Sequence, residues 1–127
     1  MQATGASRLA AWYFLAQAAS IPAWWGLMYA LPESRTWFLP SARLEPAVLA
    51  FSAPDLIVLG LGSACAGVLA LQQHPAARPA AWLTVGAVAY STVFTIAWSL
   101  LDAVPIISPA GMLAAAVLSV LSARQLR

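Results

Sequence analysis

Few residues of this 127-residue chain can do chemistry: four acids, six arginines, one histidine and one cysteine, with no lysine. Asp102 and Asp55 stand out because each borders a long apolar run. Ionisable groups near lipid face protein or water and have a partner. Asp102 falls in the last turn of an expected helix, where the macrodipole disfavours an anion. Asp55 is expected at the same membrane level on the neighbouring helix. Arg35 and Arg43 lie in a connection that can fold over both. One reading is an outward-facing polar site in which Arg35 or Arg43 holds an anionic lipid headgroup. The simpler reading is that Asp55 caps its helix, Asp102 sits in the wet interface and the arginines pin the connection.

A polar stripe leads to Asp102. Ser91, Thr95, Ser99 and Asp102 are spaced by four, four and three, which puts them on one helical face. Gln17, Ser20 and Ser63 are candidates to oppose that face. The stripe can line a hydrated cavity, or it can make interhelical bonds worth about 0.6 kcal/mol each in a membrane. Gly60 with Ala64, and Ser63 with Gly67, form two pairs of small residues four apart, a spacing that lets helix backbones approach closely. They are assigned to helix packing. Gly60-Leu61-Gly62 lacks the third glycine and the preceding strand of a nucleotide fingerprint. Trp24, Trp25 and Trp98 are expected near one leaflet, as interfacial anchors or as the wall of a lipid groove. Trp12 and Trp82 fit an aromatic belt at the opposite end. Cys65 reads as a small buried residue, and His74-Pro75 as a turn. With one histidine and one cysteine, neither a metal site nor a cofactor is expected.

The elements that carry these residues follow from composition. The chain is 62% hydrophobic and 8% charged, with a mean hydropathy of +0.82. Soluble domains carry about 25% charged residues. So sparse a charge cannot coat a water-facing surface, and it excludes a disordered chain and a basic nucleic-acid-binding face. The expectation is an all-α integral membrane protein: a single transmembrane four-helix bundle spanning 1–127. Its helices are expected at about 9–31, 54–71, 80–103 and 108–123. A 23-residue helix reaches about 35 Å, enough for a hydrocarbon core of about 30 Å. Ala16-Gln17-Ala18 also resembles a signal-peptide cleavage site. The apolar run continues well past it, which favours a retained helix. Pro22 is expected to kink that helix. Residues 32–53, punctuated by Pro32, Pro40 and Pro46, read as an irregular loop with a short surface helix. Ser52-Ala53-Pro54-Asp55 reads as a capping start for the second helix.

Arg8, Arg78, Arg124 and Arg127 fall at one end without an acid. By the positive-inside rule that end, with both termini, is cytoplasmic, and the Pro-rich loop is extracytoplasmic. Abundant alanine, with arginine in place of lysine, suggests a GC-rich bacterial source and hence the inner membrane.

Four patches carry a resemblance to a known family: Ala23-Trp24-Trp25, Pro32 to Phe38, Ala50 to Ser63, and Gly86 to Trp98. They resemble the N-terminal membrane region of bacterial isoprenylcysteine carboxyl methyltransferase-like proteins. That family places methyl transfer in a C-terminal half with an Arg-His-Pro-x-Tyr type motif. Gln73-His74-Pro75-Ala76 shares only the His-Pro. The resemblance therefore carries over no catalytic residue. It implies a stand-alone membrane module that handles lipids or docks another membrane subunit.

Three functions are compatible with these features. The first is a non-catalytic module that binds membrane lipids or serves as an accessory subunit of a membrane assembly. The second is a homo-oligomeric small transporter or channel, which would use the stripe ending in Asp102. The third is an enzyme that modifies a membrane lipid or quinone through Asp55, Asp102 and an arginine, which requires two groups of separated pKa in reach of one substrate.

Overall fold

The computed structural model describes residues 5–37, 45–102 and 107–126; the side chains of Trp37, Asp102 and Ile107 are outside the description. Among the described residues the chain is all-helical. Helix α1 covers Gly5–Ala30 and is followed by a 3-10 turn over Pro32–Trp37. Helix α2 covers Glu45–Leu71, α3 Ala77–Asp102 and α4 Ile107–Arg124. Two segments, Glu45–Leu71 and Ala77–Leu101, are long and apolar enough to cross a membrane. Helix α1 is equally long, but Gln17, Ser20, Pro22 and its tyrosines and tryptophans dilute its apolar character.

The second helix starts nine residues before the expected 54. Glu45–Ala50, read from its prolines as loop, is helical. Pro46 falls in the first turn, where a missing N–H costs nothing. Ser52 therefore does not cap. It lies inside the helix, donates to the Leu49 carbonyl at 2.6 Å and meets the Tyr29 hydroxyl at 2.9 Å. Pro54 cannot bond the Ala50 carbonyl, and the helix widens just after it into i→i+5 winding over Asp55–Leu61. Helix α1 continues through Pro22.

Each helix runs antiparallel to its neighbours. Ala11 and Leu15 meet Gly67. Trp25 meets Asp55, and Phe51 meets Phe94. Thr92 on α3 donates to the Met112 carbonyl on α4. Ser7 on α1 donates to the Gln125 carbonyl at 3.1 Å, which brings both ends of the chain to one end of the bundle. Arg8, Arg78 and Arg124 are exposed there.

Packing is closest at that end. Ala10, Ala11, Phe14, Ala66, Ala70, Ala77, Ala81 and Ala123 are buried together. Such small side chains bring helix axes close. At Gly67 a Cβ would stand 2.7 Å from Leu15 Cγ and 3.0 Å from the Ala11 carbonyl oxygen. At Gly60 the nearest neighbour across the interface is Ile21 at 3.9 Å, so of the predicted packing residues Gly67 sets the distance. Ser63 is fully buried and Ala64 half-buried, whereas Cys65, expected to be buried, is exposed because it falls on the opposite face of α2 from Ser63 and Gly67.

The glycines separate these effects. Gly67→Ala is expected to destabilise the bundle by about 1–3 kcal/mol, because the branch of Leu15 and the Ala11 carbonyl must shift to admit the methyl. At Gly86 a Cβ meets nothing within 4 Å, and Gly86→Ala is expected to be neutral or to stabilise by about 0.5–1 kcal/mol. Unfolding of purified protein in mild detergent, titrated with dodecyl sulfate, measures both.

Candidate functional site

Polar links between α1 and α4 gather in the chain-termini half. The Tyr13 hydroxyl donates to the Ala115 carbonyl at 3.0 Å and lies 3.0 Å from Ser119 Oγ. Ser119 in turn donates to Gln17 Oε1 at 3.1 Å. Past Gln17 the residues change from alanine to large apolar and aromatic side chains, which do not fill the space between the helices. A cavity of about 480 Å³ opens there. Gln17 and Ala115 lie at its inner limit.

Every helix contributes to the wall. Helix α1 supplies Ser20, Trp24, Trp25 and Met28, and α2 supplies Phe51, Asp55 and Leu59. Helix α3 supplies Val88, Ser91, Phe94, Thr95 and Trp98, all on one helical face, and α4 supplies Ser108, Gly111 and Met112. Phe51 and Phe94 pack as tilted rings with centroids 4.7 Å apart, and Phe94 and Trp98 likewise at 5.9 Å.

Asp55 lies in this wall, not at a helix end. It is ten residues into α2, about 15 Å along it. Its carboxylate accepts a hydrogen bond of 3.2 Å from the Trp25 indole N–H. Trp25 itself is buried. Phe51 faces Phe94, and Gly62 faces Thr84. That register puts Asp55 level with residues 90–91 of α3. Asp102, the last residue of that helix, is then roughly 17 Å farther along. The expected pairing of the two aspartates at one level does not form, because α2 starts earlier than its prolines imply.

Arg35 is held elsewhere. It forms an ion pair with Glu45, and its Nε donates to the Met28 carbonyl at 2.7 Å. It ties the 3-10 turn to the ends of α1 and α2, in line with the pinning role. Arg43 lies outside the described residues, as does the Asp102 side chain.

The predicted stripe divides. Ser91 and Thr95 line the cavity, although Thr95 also donates to the Ser91 carbonyl at 2.7 Å. Ser99 does not line it. Gln17 and Ser20, the candidates to oppose the stripe, line the same cavity. Ser63 does not: it is fully buried, and its hydroxyl has no partner among the described residues. Trp24, Trp25 and Trp98, expected near one leaflet, share the cavity wall.

Sequence reasoning missed Phe51, Phe94, Met28, Gly111 and Met112. Phe94 was recoverable, since it falls on the same face as Ser91, Thr95 and Trp98. The face that α4 turns inward leaves no comparable mark in its uniform run of alanine, valine and leucine. Among the described residues no cluster of histidine, cysteine, aspartate and glutamate can hold a metal ion. No protein-family model, curated protein or solved structure matches the chain.

Two hydroxyls test this packing. Tyr13→Phe removes the bonds from Tyr13 to Ala115 and Ser119 on α4 and is expected to cost about 1 kcal/mol. Ser63→Ala relieves a buried, unbonded hydroxyl and is expected to be neutral or stabilising by about 1 kcal/mol. The same dodecyl sulfate titration ranks the two.

Proposed function

We propose that the chain is a multi-pass bacterial inner-membrane module that binds one amphiphile in its aromatic-walled cavity and performs no chemistry on it. The observation that carries this reading is the cavity itself. It has the volume of a small-molecule site, about 300–1,000 Å³, and an apolar wall with a few convergent polar groups. It is formed by all four helices and so does not depend on a second chain.

Four membrane-spanning helices are supported by what the bundle exposes. Leu83, Tyr90, Leu100 and Leu101 on α3 are 70–84% exposed. Leu9 and Trp12 on α1, Ile57 and Leu61 on α2, and Leu113 and Val117 on α4 are exposed as well. Apolar surface on every helix suits a lipid solvent. Exposed Arg8, Arg78 and Arg124 at the termini end support cytoplasmic termini. Trp12 and Trp82, both exposed near that end, suit the aromatic belt. The cavity then belongs to the outer half. The patches that resemble the methyltransferase-like membrane region supply Trp24, Trp25, Phe51, Asp55, Phe94 and Trp98 to its wall, which accords with lipid handling.

Binding is tested by filling the cavity. Gly111 lines it, and a Cβ there meets nothing within 4 Å. Gly111→Leu is expected to fold normally and to lose the bound amphiphile. Native mass spectrometry of mildly extracted protein reads this directly. The wild type should carry one reproducible ligand mass, and Gly111→Leu should carry it at a tenth or less of that occupancy. A bare wild-type chain would overturn the proposal.

A further inference from the structure

The residues around the cavity also define what kind of head group it takes; this rests on the binding role proposed above. Among the described residues Asp55 is the one acid that lines the cavity, and no arginine or histidine lines it with Asp55. Its only side-chain hydrogen bond among the described residues comes from the neutral Trp25 indole. Arg35, in the turn after α1, is paired with Glu45, and Arg43 lies outside the described residues. A carboxylate set in apolar surroundings without a countercharge is costly. An anionic ligand would raise that cost, and a neutral one would leave it unchanged. Trp24, Trp25, Phe51, Phe94 and Trp98 line the same cavity, and Trp25 touches Asp55 directly. Aromatic faces attract cations through the ring quadrupole, and several rings together select ammonium groups over other cations.

We infer that the cavity selects a cationic amphiphile, with Asp55 as counter-ion to an ammonium head and the five rings as the wall around it. Hydrogen bonding from Trp25 fixes one carboxylate oxygen and leaves the other to face the ligand. Met28, Leu59, Val88 and Met112 extend the apolar wall for a chain. An ammonium can arrive on a free lipophilic amine or on the headgroup of a membrane lipid, and the chemistry of recognition is the same.

The test uses the full chain in phosphatidylglycerol nanodiscs. Dodecyltrimethylammonium and dodecanol share a chain and differ in head charge. Each is titrated with tryptophan fluorescence as the readout, against empty discs. The wild type is expected to bind the ammonium at least tenfold more tightly than the alcohol. Asp55→Asn, which keeps an acceptor for Trp25, is expected to abolish that preference, and Asp55→Glu to restore part of it. Phe94→Leu keeps an apolar wall and removes one ring. It is expected to weaken the ammonium three- to tenfold and leave the alcohol unchanged, a second check should Asp55→Asn not fold. Discs containing phosphatidylethanolamine separate the sources. A tenfold weakening of the probe there assigns the site to a lipid headgroup, and an unchanged titration assigns it to a free amphiphile. Equal binding of both probes by the wild type, lost in Gly111→Leu, overturns the ammonium preference and leaves the cavity's binding role standing. Failure of both probes to bind overturns both.

Discussion

The contact at Gly67 sets the spacing on which the rest of the bundle depends. A backbone carbonyl of α1 and the Leu15 side chain lie where a Cβ on α2 would stand. Helix axes can come that close only where one partner has no side chain. The alanines at 10, 11, 66, 70, 77, 81 and 123 extend the same close packing through the termini half. There the links from α1 to α4 are short and polar, from Ser7, Tyr13, Gln17 and Ser119. Dispersion contacts and hydrogen bonds hold the helices together there.

The other half is built on the opposite rule. Large residues face one another across α1, α2 and α3, and Phe51, Phe94 and Trp98 form a continuous row of rings. Rings of that size hold helices apart, and the helix opposite them presents Gly111 and Ser108. A bundle closed tightly at one end and propped open at the other has a cavity without any special loop. The Arg35–Glu45 pair and the bond from Arg35 to the Met28 carbonyl then hold the 3-10 turn against the propped end. In this arrangement the arginine is a strut, while Asp55 in the cavity wall is partnered by the Trp25 indole.

Widened winding over Asp55–Leu61 serves the same wall. Such turns insert a residue into a helix and re-aim the side chains around it, and they recur at functional sites. Here the widening begins at Asp55 itself, directly after Pro54, and it includes Leu59, another lining residue. The proline that suggested a helix start instead marks the place where α2 changes its pitch to present the carboxylate.

Much of the molecule was legible in one dimension. Hydropathy and sparse charge require apolar helices, and the spacing of Ser91, Thr95 and Trp98 puts them on one face whatever surrounds it. The tryptophans at 24, 25 and 98, Asp55, and the packing role of Gly67 were readable from residue type alone. What the sequence could not decide is register between helices. Periodicity records the direction in which a side chain leaves its own axis, and says nothing of the height at which a neighbouring axis meets it. That height follows from contacts such as Gly67 on Ala11 and Gly62 on Thr84, made between residues far apart in the chain. Proline misled for a related reason: at Pro46 and Pro54 its missing donor reads as a break, yet a first turn and a widened turn both accommodate it. Only the tertiary structure could therefore separate Asp55 from Asp102 and place Asp55 beside Trp25, because side-chain packing between helices sets their relative height.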